Sequence, residues 1–301
     1  MVYRKTQMSQ REKEMEKKEE KRSKVTIPYL YELRDRGKII TWLTAYDFPI
    51  AYLMEQVGIE MILVGDSASM TVYGNSSTLP ITMDTMINHA RAVRNAAPNC
   101  FVIGDMPFLS YQCSVDEAVR NSGRFMKEAG CDAIKLEGGV RIADTVKAIV
   151  NAGIPVMGHI GLTPQSSSML GGFRVQGKSA ESAKALLDDA LALQNAGAFG
   201  ILLECVPTPV SHIIKEKTKV LIFGIGAGPG LDGQLLIIHD IIGLFPTFQP
   251  KFVKQYVKLS DIILKALGEF ISDVKEKKFP AKEHEYSISA EELSKLRQMK
   301  L

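Results

Sequence analysis

Eight short apolar runs without polar alternation, interleaved with helical stretches, constrain this 301-residue chain more than any other feature. The runs are Ile39–Thr44, Met61–Gly65, Phe101–Gly104, Ala133–Leu136, Ile154–Gly158, Gly200–Leu203, Val220–Gly224 and Leu235–His239, the last being the weakest. A strand with no polar face is buried on both sides, as parallel strands beneath a helix layer are. Helical patterns cover Ile50–Val57, Met83–Ala96, Val115–Ala129, Ile142–Asn151 and Ala180–Ala196. Gly58, Gly130, Gly153 and Gly197 follow four of these segments as C-caps. Alternating strands and helices require parallel pairing through right-handed crossovers, and eight such units predict an α/β fold of the (β/α)8 TIM-barrel type. An open parallel sheet is the alternative, and it turns on the eighth strand. Lys251–Val274 reads as amphipathic helices that close or extend the barrel. Residues 25–301 are therefore expected to form a single catalytic barrel domain with C-terminal helices.

Composition places the basic surplus outside that domain. The chain is 46% hydrophobic and 24% charged with a net charge of +3, which excludes disordered, collagen-like and disulfide-scaffold classes. Nine of the 37 basic residues and five of the 34 acidic ones lie in residues 1–24. The remainder holds 28 basic and 29 acidic residues, so the body is near neutral and lacks the basic face that nucleic-acid binding needs. The first 24 residues, with their blocks of Glu and Lys, read as a solvated helix or a disordered arm. Cys100, Cys113, Cys131 and Cys205 form no C-x-x-C pair, which fits free thiols in a reducing compartment. With no apolar leader and no run of about 18 apolar residues, the expectation is a cytoplasmic protein with no membrane partner.

Chemistry collects where the runs end. In a parallel barrel the C-terminal strand ends build the active site. Here they carry Asp66-Ser67, Asp105, Lys135 with Glu137, His159 and Glu204. One carboxylate after a strand is ordinarily a helix cap, but polar groups closing five successive strands converge on one pocket. Facing carboxylates repel, so they need a cation or a shared proton. Asp66, Asp105 and Glu137 are hard oxygen donors without a His/Cys cluster, a composition suited to Mg²⁺. Lys135 lies two residues before Glu137, on the same strand face. It is either a Schiff-base nucleophile or, as favoured beside a metal site, a cation for a substrate carboxylate. His159 is either a satisfied core histidine or a substrate contact. Apolar neighbours raise the pKa of Glu204, which suits a general base or acid.

Other motifs fail. The glycine-rich segment 224–230 has Pro229 and Leu231 where dinucleotide-binding patterns require Gly. Gly65-Asp66-Ser67-Ala68-Ser69 lacks the final Gly of a nucleophile elbow. No H-E-x-x-H and no Walker loop occur.

Seven ordered segments carry a resemblance. They are Leu43-Thr-Ala-Tyr-Asp47, Val64-Gly-Asp-Ser67, Gly104-Asp-Met-Pro-Phe108, Lys135-Leu-Glu-Gly-Gly139, Gly158-His-Ile-Gly-Leu-Thr-Pro-Gln165, Leu203-Glu-Cys-Val-Pro207 and Ile225-Gly-Ala-Gly228. Together they closely resemble the ketopantoate hydroxymethyltransferase family, from about residue 25 to about residue 286. The resemblance implies a barrel of the phosphoenolpyruvate mutase type and a homo-oligomer, commonly a decamer. It implies one Mg²⁺ per subunit, held by Asp66 and Asp105 directly and by Glu137 through water. The substrate 3-methyl-2-oxobutanoate would bind at Asp66 and Asp105 through that metal, with Ser67, Lys135 and His159 around it. Glu204 matches the catalytic acid/base position, and 5,10-methylenetetrahydrofolate would be the one-carbon cosubstrate. The implied product is ketopantoate, formed through a Mg²⁺-stabilised enolate for pantothenate synthesis. Arg174 stands where the family would have Lys, with the charge retained. The rival within enzymes is a Mg²⁺-dependent oxo-acid C–C lyase of the same superfamily, but its Cys-containing loop has no counterpart here. A catalytically dead scaffold would show degraded strand ends, whereas the expected polar groups are all present.

Overall fold

The computed structural model describes residues 22–169, 171–244 and 250–299. Its strands are β1 (Ile40–Thr44), β2 (Met61–Val64), β3 (Phe101–Asp105), β4 (Ala133–Glu137), β5 (Val156–Gly161), β6 (Gly200–Glu204), β7 (Leu221–Ile225) and β8 (Gly233–Leu236). They pair in parallel in sequence order, and β8 returns to β1, so the eight-unit barrel holds over the open sheet. The helices are α1 (Ile27–Asp35), α2 (Phe48–Val57), α3 (Ala68–Thr71), α4 (Met83–Ala96), α5 (Val115–Ala129), α6 (Ala143–Asn151), α7 (Ala180–Asn195) and α8 (Thr208–Lys217). After β8 come α9 (Ile238–Ile241), α10 (Leu259–Lys275) and α11 (Ala290–Gln298).

Local chemistry sets the helix limits. The side chains of Asp47, Thr82, Ser114 and Ser179 accept backbone N–H bonds at the starts of α2, α4, α5 and α7. Such a cap contributes about 1 kcal/mol. Gly58, Gly130, Gly153 and Gly197 take φ of 85°, 69°, 84° and 97°, as expected of glycines that end helices. Two strand glycines act differently, by letting helices approach. A Cβ on Gly104 would lie 2.3 Å from the Phe125 ring, and one on Gly158 would lie 2.6 Å from Leu193. Side chains on α5 and α7 thus press onto the backbone of β3 and β5.

The mouth opposite the strand C-termini is plugged. Val25 and Leu30 are buried in one cluster with Trp42, Phe101, Phe199, Leu221 and Phe223. Tyr31 donates from its hydroxyl to the carbonyl of Phe199 at 2.9 Å, and Arg34 donates to that of Lys219 at 2.9 Å. The helical patterns read from the sequence did not include α1 or α8. In α1 only Leu30 is buried, and in α8 only Ser211 and Ile214, so neither carries an apolar stripe that periodicity could reveal.

Three further expectations change. The eighth strand is Gly233–Leu236, not Leu235–His239, and His239 lies in α9. A Cβ at Gly233 would sit 2.6 Å from Phe223 and 2.7 Å from the carbonyl of Ile40, so the strand begins where no side chain fits. Of Lys251–Val274, only the part from Leu259 is helical. The N-terminal arm lies outside the described residues up to residue 21, but its last members are attached to the barrel. Arg22 donates to the carbonyl of Ile59 at 2.5 Å, and Lys24 pairs with Asp132 at 2.6 Å.

The described residues form two compact units, one running to Ile238 and taking in Pro250–Val253, the other made of the remaining described residues from His239 onward. In the second, α10 and α11 bury no residue, and the Phe279 ring contacts those of Phe270 and His284 with centroids 6.0 and 5.0 Å apart. Among the described residues no helix is long and apolar enough to cross a membrane.

Candidate active site

The ends of β2 to β6 bring Asp66, Asp105, Lys135, Glu137, His159 and Glu204 into one cluster. Strand register does most of the placing. Asp105 on β3 is level with Lys135 on β4, Glu137 with His159 on β5, and Gly161 with Glu204 on β6. The Lys135 ammonium sits 2.6 Å from Asp105 Oδ1 and 4.0 Å from Glu137 Oε1. His159 spans the cluster, with Nδ1 3.3 Å from Glu137 Oε1 and Nε2 3.2 Å from Glu204 Oε2. Asp66, at the turn after β2, donates its backbone N–H to Asp105 Oδ2 at 3.0 Å. Asp66, Asp105, Lys135, Glu137 and His159 are all buried, whereas the Glu204 side chain keeps 16% exposure. Ser67 is half-buried beside them, and its hydroxyl lies 2.8 Å from that of Tyr46.

Burial and charge pull the ionisable groups in opposite directions. Burial works against the ammonium of Lys135, but Asp105, Glu137 and Asp66 outweigh it and leave its pKa above the ordinary lysine value. A lysine held protonated is a cation, not a free amine, which is the state a contact to a substrate carboxylate needs. Burial, with repulsion from Asp105 and Glu137, raises Asp66 well above the carboxylate range. Burial likewise raises Glu137, against the opposing pull of Lys135. His159 is lowered, first by burial and then by the Lys135 charge, so its imidazole is neutral near pH 7. Glu204 is raised by burial, while the adjacent His159 imidazole, with Nε2 at 3.2 Å, acts the other way.

Three neighbours of this cluster carried no signal of their own in the sequence. Gln165 is buried, and its amide NH₂ donates to Asp66 Oδ2 and to the carbonyl of Met106, each at 2.9 Å. Its backbone N–H donates to Glu137 Oε2 at 3.0 Å, so one residue ties two carboxylates together. Tyr111 accepts the N–H of Glu137 at 3.1 Å and places its hydroxyl 2.9 Å from Gln165 Oε1. Gln165 and Tyr46 fall within the resembling segments, but only their contacts reveal what they do.

The donor set suits a hard cation. Glu137 Oε1 is buried and accepts no hydrogen bond, and the acids clustered here offer only oxygen. Among the described residues, no three His, Cys, Asp or Glu groups gather tightly enough to hold an ion alone. A Mg²⁺ ion takes one or two carboxylates and keeps waters for the rest of its shell.

Similarity to known proteins points the same way. A sequence profile described as ketopantoate hydroxymethyltransferase matches residues 24–282. The 3-methyl-2-oxobutanoate hydroxymethyltransferase of Moorella thermoacetica is 53% identical over 265 residues, covering 88% of this chain and 98% of that one. That of Syntrophus aciditrophicus is 50% identical, covering 87% and 97%. Among solved structures, a phosphoenolpyruvate phosphomutase from Streptomyces platensis subsp. rosaceus aligns with a TM-score of 0.58 at 15% identity, covering 90% of this chain and 94% of that one. A phosphonopyruvate hydrolase complexed with oxalate and Mg²⁺ aligns at 0.56 and 14%, covering 90% and 95%. At that identity the two structures share only the fold with this chain.

Proposed function

The chain belongs to the ketopantoate hydroxymethyltransferase family, and from that premise we propose that it transfers a hydroxymethyl group from 5,10-methylenetetrahydrofolate to 3-methyl-2-oxobutanoate. The products are ketopantoate and tetrahydrofolate, with one water consumed, and the reaction serves pantothenate synthesis. The observation that carries this reading is the pairing of a partly accessible Glu204 with the buried Asp66–Asp105–Lys135–Glu137 cluster. One half supplies a base and the other a seat for an α-oxo acid.

The first chemical demand is removal of a proton from C3 of the oxo acid. Glu204 takes it, since a raised pKa brings the carboxylate nearer to neutral pH, where a general base is most effective. The His159 imidazole holds the Glu204 carboxylate on one side and adds no charge while neutral. Asp66 and Asp105 would hold a divalent cation, with Glu137 reaching it through water and Gln165 orienting Asp66 and Glu137. When bound, that cation supplies Lewis-acid stabilisation for the charge developing on the keto oxygen. Lys135 and the Ser67 hydroxyl, steadied by Tyr46, meet the substrate carboxylate. C3 then forms a bond to the methylene carbon of the cosubstrate, both folate C–N bonds to that carbon break, and water supplies the product hydroxyl, while the proton taken from C3 and one proton of the water go to the two folate nitrogens.

The test separates enolisation from one-carbon transfer. In D₂O with Mg²⁺ and no folate, the protein is expected to exchange deuterium into C3 of 3-methyl-2-oxobutanoate, as read by proton NMR. EDTA should stop the exchange, and added methylenetetrahydrofolate should yield ketopantoate. Absence of both exchange and ketopantoate would overturn the assignment.

A further inference from the structure

A cavity of about 240 Å³ lies at the C-terminal ends of β4 and β5, lined by none of the reacting residues named above but by their neighbours in the chain. It lies where the turn after β4, the end of β5 and the first half of α7 meet, with Gly138, Gly139, Gly161, Ala185, Arg141 and Asp189 in its wall. Its place is close to the reacting groups in the chain. Gly138 follows Glu137 directly and donates its N–H to the carbonyl of His159 at 2.9 Å. Gly161 is level with Glu204, and a Cβ there would lie 2.3 Å from the Glu204 carbonyl oxygen.

Among the described residues, Asp189 is the sole acid lining this cavity. Its Oδ1 accepts the N–H of Val140 at 2.8 Å, and no ion pair engages it among the described residues. The carboxylate packs against Gly139, where a Cβ would come within 1.9 Å of Oδ1. Burial raises its pKa, with the Val140 bond acting in the opposite direction. Arg141 also lines the cavity, is exposed, and has no carboxylate partner among the described residues.

We propose that this cavity seats the pterin ring of the folate cosubstrate, with Asp189 accepting from the ring's N3–H and 2-amino group. The proposal rests on the one-carbon transfer proposed above. A pterin presents those two donors side by side, spaced to match the two oxygens of a carboxylate. The volume falls below the roughly 300–1,000 Å³ of pockets that enclose a drug-sized molecule. It therefore admits a flat bicyclic ring and leaves the aminobenzoyl-glutamate tail outside, toward Arg141. Glycine backbone in the wall allows an aromatic face to lie close.

Two variants test the assignment by direct binding of tetrahydrofolate, measured by calorimetry, and by steady-state kinetics. Asp189→Asn keeps an oxygen for the Val140 N–H but turns an NH₂ group toward the ring's donors. Ala185→Phe fills the space from the α7 side. Each is expected to raise the tetrahydrofolate Kd and the methylenetetrahydrofolate KM at least tenfold, with the oxo-acid KM moving less than twofold. A tetrahydrofolate Kd within twofold of the unaltered protein for Asp189→Asn, whether or not Ala185→Phe folds, overturns the pterin assignment. So does failure of the unaltered protein to bind tetrahydrofolate while it still exchanges deuterium at C3. Loss of that exchange in the unaltered protein would instead remove the enzymatic reading itself.

Discussion

Glu204 works as a base only when it has lost its proton, so its environment sets the pH range of the reaction. Burial raises its pKa, and the His159 imidazole 3.2 Å away partly offsets the rise. Activity should therefore fall as pH drops through an apparent pKa above the ordinary glutamate value. Removing the imidazole takes away a lowering influence, so the Glu204 pKa climbs and the acid limb moves to higher pH. The expected outcome for His159→Phe is that shift in the pH profile of C3 exchange. An acid limb that stays in place would show that His159 does not tune Glu204. For Glu204→Gln the exchange rate should fall by about 10²–10⁴-fold, the usual contribution of a positioned general base. At this scale the sequence was informative about charge and uninformative about support. Asp66, Asp105, Glu137 and Glu204 stand out because a carboxylate that ends a buried strand must face something. Gln165 and Tyr111 are neutral, one in a single 3-10 turn (Pro164–Ser166) and the other in a loop, and what they bond follows from a three-dimensional arrangement that no periodicity records.

At the scale of elements, the barrel is held by helices pressed onto strands through missing side chains. Gly104→Ala should force Phe125 to move, because a Cβ would lie 2.3 Å from its ring. Overpacking of this kind costs about 1–3 kcal/mol. The change is expected as a lower urea midpoint with an unaltered slope, and Phe125→Leu in the same chain should recover part of it. A Gly104→Ala protein as stable as the original would show that the α5–β3 approach tolerates more than the geometry indicates. These glycines also explain which elements could be read from the chain. Strands β2 to β7 are apolar on both faces because helices cover one side and the barrel interior the other, and that pattern survives in one dimension. Strand β8 is weaker because it begins on Gly233 and continues through Gln234, which is exposed, so the apolar pattern pointed two residues too far along. Helix α1 is hidden for the opposite reason: it seals the barrel end with Leu30 fully buried and its other residues partly or fully exposed.

At the scale of the whole molecule, the apolar surface of α10 sets a further demand. Ile263, Leu267, Phe270, Ile271 and Val274 recur at helical spacing along one face, and all are exposed on the single chain. Contiguous apolar surface of this kind marks an interaction site when a soluble protein carries it. The family resemblance implies that the partner is another copy of the same chain. We therefore expect the protein to sediment as a homo-oligomer, and the double substitution Leu267→Glu with Phe270→Glu to shift it to a smaller species. C3 exchange offers a second readout, because Asp66, Asp105, Lys135, Glu137, His159 and Glu204 all belong to the first compact unit. If one chain supplies the complete reacting set, the smaller species should retain exchange within a few-fold. A protein that sediments as a monomer before any substitution would refute the self-association. An oligomer that withstands both substitutions would place the interface elsewhere on the chain.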